Sequence, residues 1–149
     1  MNLEHNMRLA LELAQKSADN GEVPIGAIIV RNNEILSSAH NRTIIDADPT
    51  AHAEVIAIRE AAKKINNYRI SDSAIFVTLE PCIMCYGAII QSRISRVFFG
   101  AYDSKFGACA SCSNLKDNKL INHKPQIIGG ILQSECSSII KDFFKTKRN

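Results

Sequence analysis

The apolar pattern of this chain predicts an α/β fold, a mixed five-stranded sheet between two layers of helices, as one domain over residues 1–149. Three observations carry the prediction. Residues 25–39 read as two short strands about an Asn32-Asn33 turn, which is a hairpin. Beyond it, strands and helices alternate, which calls for sheet strands with helices laid on the faces. A helix with apolar residues three and four apart opens the chain, and another helix closes it.

Taken in order, Leu3, Met7, Ala10, Leu11, Ala14 and Ala18 lay an apolar stripe along a helix over 3–19, and Asn20-Gly21 stops it. The apolar run 25–30 is a buried strand, and 35–39 returns beside it. A loop follows from His40 through Asp48-Pro49. Residues 51–64, rich in Ala, Ile, Glu and Lys, form the second helix. The third strand is 75–79, and the third helix, started by Pro81, is 82–92. A fourth strand covers 96–100, an irregular stretch 101–123, a fifth strand 126–128 and the last helix 133–146. The order is α-β-β-α-β-α-β-β-α, with no repeat, low-complexity segment or linker.

A chain of 149 residues buries an ordinary core, so no metal is needed merely to fold it. At 46% hydrophobic and 22% charged, it is globular and not disordered. No apolar run approaches the ~20 residues of a membrane helix, so no membrane partner is expected. Glu4, Arg8 and Glu12 break up the N-terminal apolar positions, unlike a signal peptide. Five cysteines, with two Cys-x-x-Cys pairs, fit metal binding in a reducing cytoplasm better than a disulfide framework. The net charge of +3 is too small to demand a nucleic-acid partner. Its placement is uneven: Arg93, Arg96 and Lys105 follow the first cysteine pair, and Lys141, Lys145, Lys147 and Arg148 crowd the C-terminus. Charge alone reads these as solvated surface and helix C-terminal cations.

Two stretches concentrate the chemistry, Pro49-Thr50-Ala51-His52-Ala53-Glu54 and Glu80-Pro81-Cys82-Ile83-Met84-Cys85. Residues two apart do not share a regular helix face, so His52 and Glu54 can serve one site only at a helix N-terminus. Asp48 or Thr50 as cap and Pro49 at the entry put His52 in the first turn. Cys82 and Cys85, three apart, project together from the first turn of the other helix. The positive ends of both helices favour thiolates, the form that binds metal. His52, Cys82 and Cys85 are three zinc ligands that leave the fourth tetrahedral position open, the arrangement of a catalytic ion. Glu54 stands outside the ligand set as acid–base partner. A competing structural site would pair Cys82 and Cys85 with Cys109 and Cys112 at zinc-ribbon spacing. Against it, the first pair is embedded in an apolar helix, and His52 and Glu54 would have no purpose. Cys109 and Cys112 then read as loop thiols and Cys136 as a small core residue.

H-x-E followed by P-C-x-x-C is the zinc deaminase signature. The chain resembles the bacterial tRNA-specific adenosine deaminases, within the cytidine deaminase-like superfamily. The likeness spans almost the whole length: Glu22 to Ala27, Asn41-Arg42, Asp48 to Glu54, Asn67-Tyr68-Arg69, Thr78 to Cys85, Ser92-Arg93-Ile94, Phe99-Gly100-Ala101 and Asp142-Phe143-Phe144. It implies a five-stranded sheet between helices, one zinc ion per subunit, and a homodimer whose tRNA site draws on both copies. It implies conversion of the wobble adenosine of an arginine tRNA anticodon to inosine. By the same resemblance, Asn41 reads the flipped-out adenine and Asp103 lies near the nucleotide's sugar and backbone. Phe143, with Lys145, Lys147 and Arg148, contacts the anticodon loop. The residues alone also allow Asn41 as a turn residue, Asp103 as a loop cap and Phe143 as half of a buried pair. Two features depart from the family pattern: His40 stands where an aromatic such as Trp is expected, and the Cys109 to Cys112 segment is cysteine-rich. The rival readings are a deaminase of free cytosine, cytidine or guanine, and a non-catalytic zinc-stabilised RNA-binding domain. Glu54 beside an open zinc position argues against the second.

Overall fold

The computed structural model describes residues 1–113 and 115–148. The side chains of Lys116 and Arg148 lie outside the described residues, and so does any contact made by the Arg148 counted above in the basic C-terminus. The elements are α1 (Leu3–Asp19), β1 (Gly26–Arg31), β2 (Glu34–His40), α2 (Ala53–Ile65), β3 (Ala74–Leu79), α3 (Ile83–Gln91), β4 (Arg96–Ala101), β5 (Gln126–Ile128) and α4 (Gln133–Arg148). This is the expected order, with a short 3-10 turn, Leu115–Asp117, inside the irregular stretch.

The sheet runs β2-β1-β3-β4-β5. β1 is antiparallel to β2 and β3, whereas β3, β4 and β5 are parallel. The hairpin turns on Asn32 and Asn33, at φ of 53° and 59°. Positive φ at both central residues is the turn whose twist suits a two-residue hairpin, and Asn tolerates it.

Side chains alternate across the sheet. Ile75, Val77, Val97 and Phe99 pack with Ala53, Ala57, Ala61, Tyr86 and Ile89 of α2 and α3. Ala74, Phe76 and Phe98 face the other way, onto Met7 and Ala10 of α1 and Cys136 of α4. Burial on both faces is why these strands read as apolar runs without alternation. α1 buries Met7, Ala10, Ala14 and Ser17, so its stripe ends on Ser17 and not on the Ala18 expected from polarity. The close approach of α1 to the sheet depends on Gly26, where a Cβ would collide with the Ala10 carbonyl. Among the described residues, no helix is long and apolar enough to cross a membrane.

The register gathers several chain ends at one edge. Gly26 at the start of β1 pairs with His40 at the end of β2, Ala27 with Val77, and Leu79 with Ala101. The segments after His40, Leu79 and Ala101 therefore leave the sheet side by side. That edge lies at the carboxyl ends of the parallel strands, where α/β folds place their sites.

Candidate active site

Both helices that point at this edge start later than their sequences imply. α2 starts at Ala53 and α3 at Ile83, so His52 and Cys82 are the capping residues rather than members of the first turn. Their backbones are extended, with ψ of 150° and 176°. Asp48 does not cap α2; its Oδ1 accepts from the N–H and hydroxyl of Thr50, both at 2.8 Å. Neither His52 nor Cys82 makes a side-chain capping bond. An imidazole and a thiol are poor caps, and here their donor atoms turn toward each other.

His52 Nδ1 lies 3.7 Å from Cys82 Sγ and 3.5 Å from Cys85 Sγ. The three donor atoms lie within 4.8 Å of one another. Tetrahedral zinc, with its usual bond lengths to nitrogen and sulfur, spaces those two ligand types about 3.6 Å apart. The residues present therefore fit a zinc ion. Cys109 and Cys112 do not join this group. Cys109 is packed in the core and Cys112 is exposed, so the four-cysteine arrangement is not formed; both lie in the irregular stretch, as expected, outside any disulfide.

The charges are poised. A hydrogen bond from Cys85 lowers the Cys82 thiol to about 4 against its burial, and His52 helps. Cys85 is pushed upward by that same partner and by burial. His52 is raised by its hydrogen bond with Cys82, while burial opposes the shift. Glu54 is buried, and burial raises it to about 7. Its Oε1 has no hydrogen-bond partner, a costly condition for a buried carboxylate that a polar ligand would relieve. Two thiols and an imidazole at zinc spacing could hold an ion that activates a water, with an unsatisfied carboxyl oxygen beside them to move its proton.

A model of the MafB19-like deaminase family matches residues 1–148. The tRNA-specific adenosine deaminase of Haemophilus influenzae is 47% identical over 97% of this chain and 84% of its own length. That of Aquifex aeolicus is 43% identical over 100% of this chain and 98% of its own. The chain belongs to the tRNA-specific adenosine deaminase family. A structure from work on A-to-I editing by tRNA:A34 deaminases at the wobble position of transfer RNA superposes with a TM-score of 0.88 at 38% identity, covering 91% of this chain and 98% of that one. The three-layer fold read from the sequence is the one these enzymes share.

The other residues expected at the deaminase site each have their own local contacts. Asn41 leaves β2 and is buried, with the neighbouring Arg42 N–H bonded to the Ala51 carbonyl just before His52. Its Oδ1 is a second buried acceptor without a partner. Asp103 follows β4 and its Oδ1 accepts from the N–H groups of Lys105 and Phe106, so it does cap its own loop. Phe143 is half-buried on α4, edge-on to the more exposed Phe144, with Lys147 Nζ 5.6 Å from its ring centroid. It lines a cleft of about 430 Å³ with Gln15, Ala18 and Gly21 at the end of α1.

Two carboxylates that sequence reasoning left without a role build the walls. Glu22 accepts from the N–H groups of Ile44 and Ile45 at 3.0 and 2.9 Å, which holds the loop before His52. Glu80, next to Pro81 and Cys82, accepts from the N–H groups of Asp103, Cys109, Ala110 and Ser111 at 3.1, 3.1, 2.7 and 3.0 Å, and from the Ser111 hydroxyl. Burial would raise Glu80, but the Ser111 hydroxyl and the N–H groups of Ala110, Ser111 and Asp103 outweigh it and hold the carboxyl below its usual range. Gly107 lets the loop close over this carboxylate, because a Cβ there would meet Glu80 Cδ. Glu80→Gln turns an acceptor-only group into one whose NH2 faces N–H donors. The expected loss is about 3 kcal/mol of stability, read by urea unfolding. A loss below about 1 kcal/mol, within the net range of one ordinary hydrogen bond, would show that the loop holds itself.

Proposed function

We propose that this enzyme hydrolyses adenosine to inosine at the wobble position of a tRNA anticodon, that of an arginine tRNA, with one zinc ion per subunit. The observation that carries the chemistry is the unsatisfied buried oxygen of Glu54 beside three ligand atoms at zinc spacing. His52, Cys82 and Cys85 hold the ion, which when bound supplies Lewis acidity that lowers the pKa of a water from ~15.7 toward ~7. Glu54 takes the proton of the attacking water as its oxygen bonds to C6 of adenine. It delivers that proton to the ring nitrogen, then takes the remaining proton from the C6 hydroxyl and passes it to the amine as the C6–N bond breaks, so that C6 becomes a carbonyl and ammonia leaves. Burial favours the protonated form of Glu54, which suits a carboxyl that must take up a proton and give it back. The N–H groups that open α3 face the developing charge on oxygen.

Asn41 contacts the base, Asp103 supports the nucleotide's backbone, and Phe143 with Lys145 and Lys147 meets the anticodon loop. An aromatic ring beside cations suits unpaired bases. A hairpin loop makes extrusion of the target base inexpensive. The enzyme works in the cytoplasm as a homodimer whose RNA site draws on both copies.

The test is a panel of an arginine tRNA anticodon stem-loop, free cytidine and free guanine, followed by ammonia release and nucleoside analysis. Inosine from the stem-loop alone is the expected result, with affinity that falls steeply as salt rises. Turnover of a free base or nucleoside, or a flat salt response, overturns the tRNA reading. Stem-loop binding with no ammonia from any substrate would favour a binding domain.

A further inference from the structure

Asn41 is held on every side but one. Its N–H donates to the Ile25 carbonyl at 3.0 Å, and its Nδ2 to the Val23 carbonyl at 3.3 Å. Its own carbonyl accepts from the Ser17 hydroxyl at 2.8 Å. His40 Nδ1 lies 3.1 Å from Ser17 Oγ and 3.4 Å from the same Asn41 carbonyl. The protons can be assigned from this geometry. Ser17 has one hydroxyl hydrogen, and the Asn41 carbonyl can only accept, so the hydrogen goes there. His40 Nδ1 then faces two acceptors and must itself carry a proton.

Ser17 is fully buried, on the face of α1 that also carries Asn6, Met7, Ala10 and Ala14. An alanine would fill that place without burying a hydroxyl, so the hydroxyl is retained for its bonds. The hydroxyl meets the Asn41 carbonyl, as the Ile25 and Val23 carbonyls meet its N–H and Nδ2, and only Oδ1 is left buried and unpartnered.

We propose that Ser17 and His40 are positioning residues: clamped between α1 and β2, they fix the Asn41 carbonyl so that Oδ1 presents its acceptor to an N–H or O–H of the bound nucleotide. The inference rests on the reading of Asn41 as a base contact and extends it to two residues that do not touch substrate.

Steady-state kinetics on the anticodon stem-loop test it. Asn41→Ala raises KM. Ser17→Ala raises KM about tenfold, the scale of one lost hydrogen bond in a buried site. Its kcat stays within about twofold, as for an interaction used equally in ground and transition states. In the Asn41→Ala background, Ser17→Ala adds no further rise, because the atom it positions is gone. His40→Asn, whose amide nitrogen can stand near the place of Nδ1, recovers most of what His40→Ala loses. An unchanged KM in Ser17→Ala overturns the proposal. So does a Ser17→Ala effect that adds in full to Asn41→Ala, or a His40→Asn no better than His40→Ala. If Asn41→Ala itself leaves KM unchanged, the base-contact reading falls and this inference with it. If Asn41→Ala raises KM while Ser17→Ala does not, only the positioning role falls. Should Ser17→Ala fold poorly, the half-buried His40 pair of variants still decides the matter.

Discussion

Glu54→Gln abolishes nearly all deamination while the chain keeps its zinc. The amide has almost the shape of the carboxyl, so the packing of this buried residue at the start of α2 is preserved. What it cannot do is take a proton from water and hand it on. General acid–base help of this kind is typically worth ~10²–10⁴-fold, and the loss in kcat should be at least that. Single-turnover inosine formation measures the rate, and metal analysis of the same sample measures the zinc. The two readouts separate the possible causes. Glu54 is not within the His52, Cys82 and Cys85 group, so zinc content should not move. Burial keeps the Glu54 carboxyl near 7, and its Oε1 makes no hydrogen bond. A residue placed only to complement a helix dipole would be ionised, exposed and replaceable. Substantial residual turnover with zinc retained would reduce Glu54 to that structural role.

The elements that sequence reading located well are those whose signal is local. The hairpin was legible because Asn32-Asn33 lies between two apolar runs, and the strands because burial on both faces keeps each run apolar. The convergence of His52, Cys82 and Cys85 was legible because the three donors come from two short motifs. The starts of α1 and α4 fall where they are expected, but those of α2 and α3 come two and one residues later, since nothing in the composition marks the extended backbones of His52 and Cys82. The end of the α1 stripe was misjudged because position, not polarity, decides burial there: Ser17 continues the spacing of Met7, Ala10 and Ala14, and its hydroxyl finds the Asn41 carbonyl across the fold. Glu22 and Glu80 were illegible for a related reason. Their partners are backbone N–H groups more than twenty residues away, and a backbone donor leaves no trace in sequence. Cys109 is the loop thiol its sequence suggests, but its burial is not legible there, because it comes from the loop that Glu80 folds inward.

Cys85→Ala separates a catalytic metal from a structural one. Cys85 is buried on the first turn of α3, and its sulfur faces His52 Nδ1. Removing it leaves one imidazole and one thiol, too few to hold zinc tightly in a site built for three protein ligands. The variant should lose its zinc on gel filtration and its deaminase activity with it, and added zinc should not restore either. It should nevertheless fold. α3 still buries Tyr86 and Ile89, and the sheet keeps both layers of its core, none of which depends on a bound ion. The far-UV circular dichroism should match that of the parent chain. Stability should fall only by the linkage free energy of the lost ligand, about 4 kcal/mol if zinc were present at 1,000 times its dissociation constant, and the melting temperature only as far as that requires. A small metal-dependent domain behaves differently, because there the binding energy is the folding energy. Collapse of Cys85→Ala to an unfolded chain would therefore make the ion structural and favour an RNA-binding role. A folded, zinc-free and inactive chain is the expected outcome. It follows from placing the ligands where two helices begin, at the edge of a core that the sheet and its flanking helices have already completed.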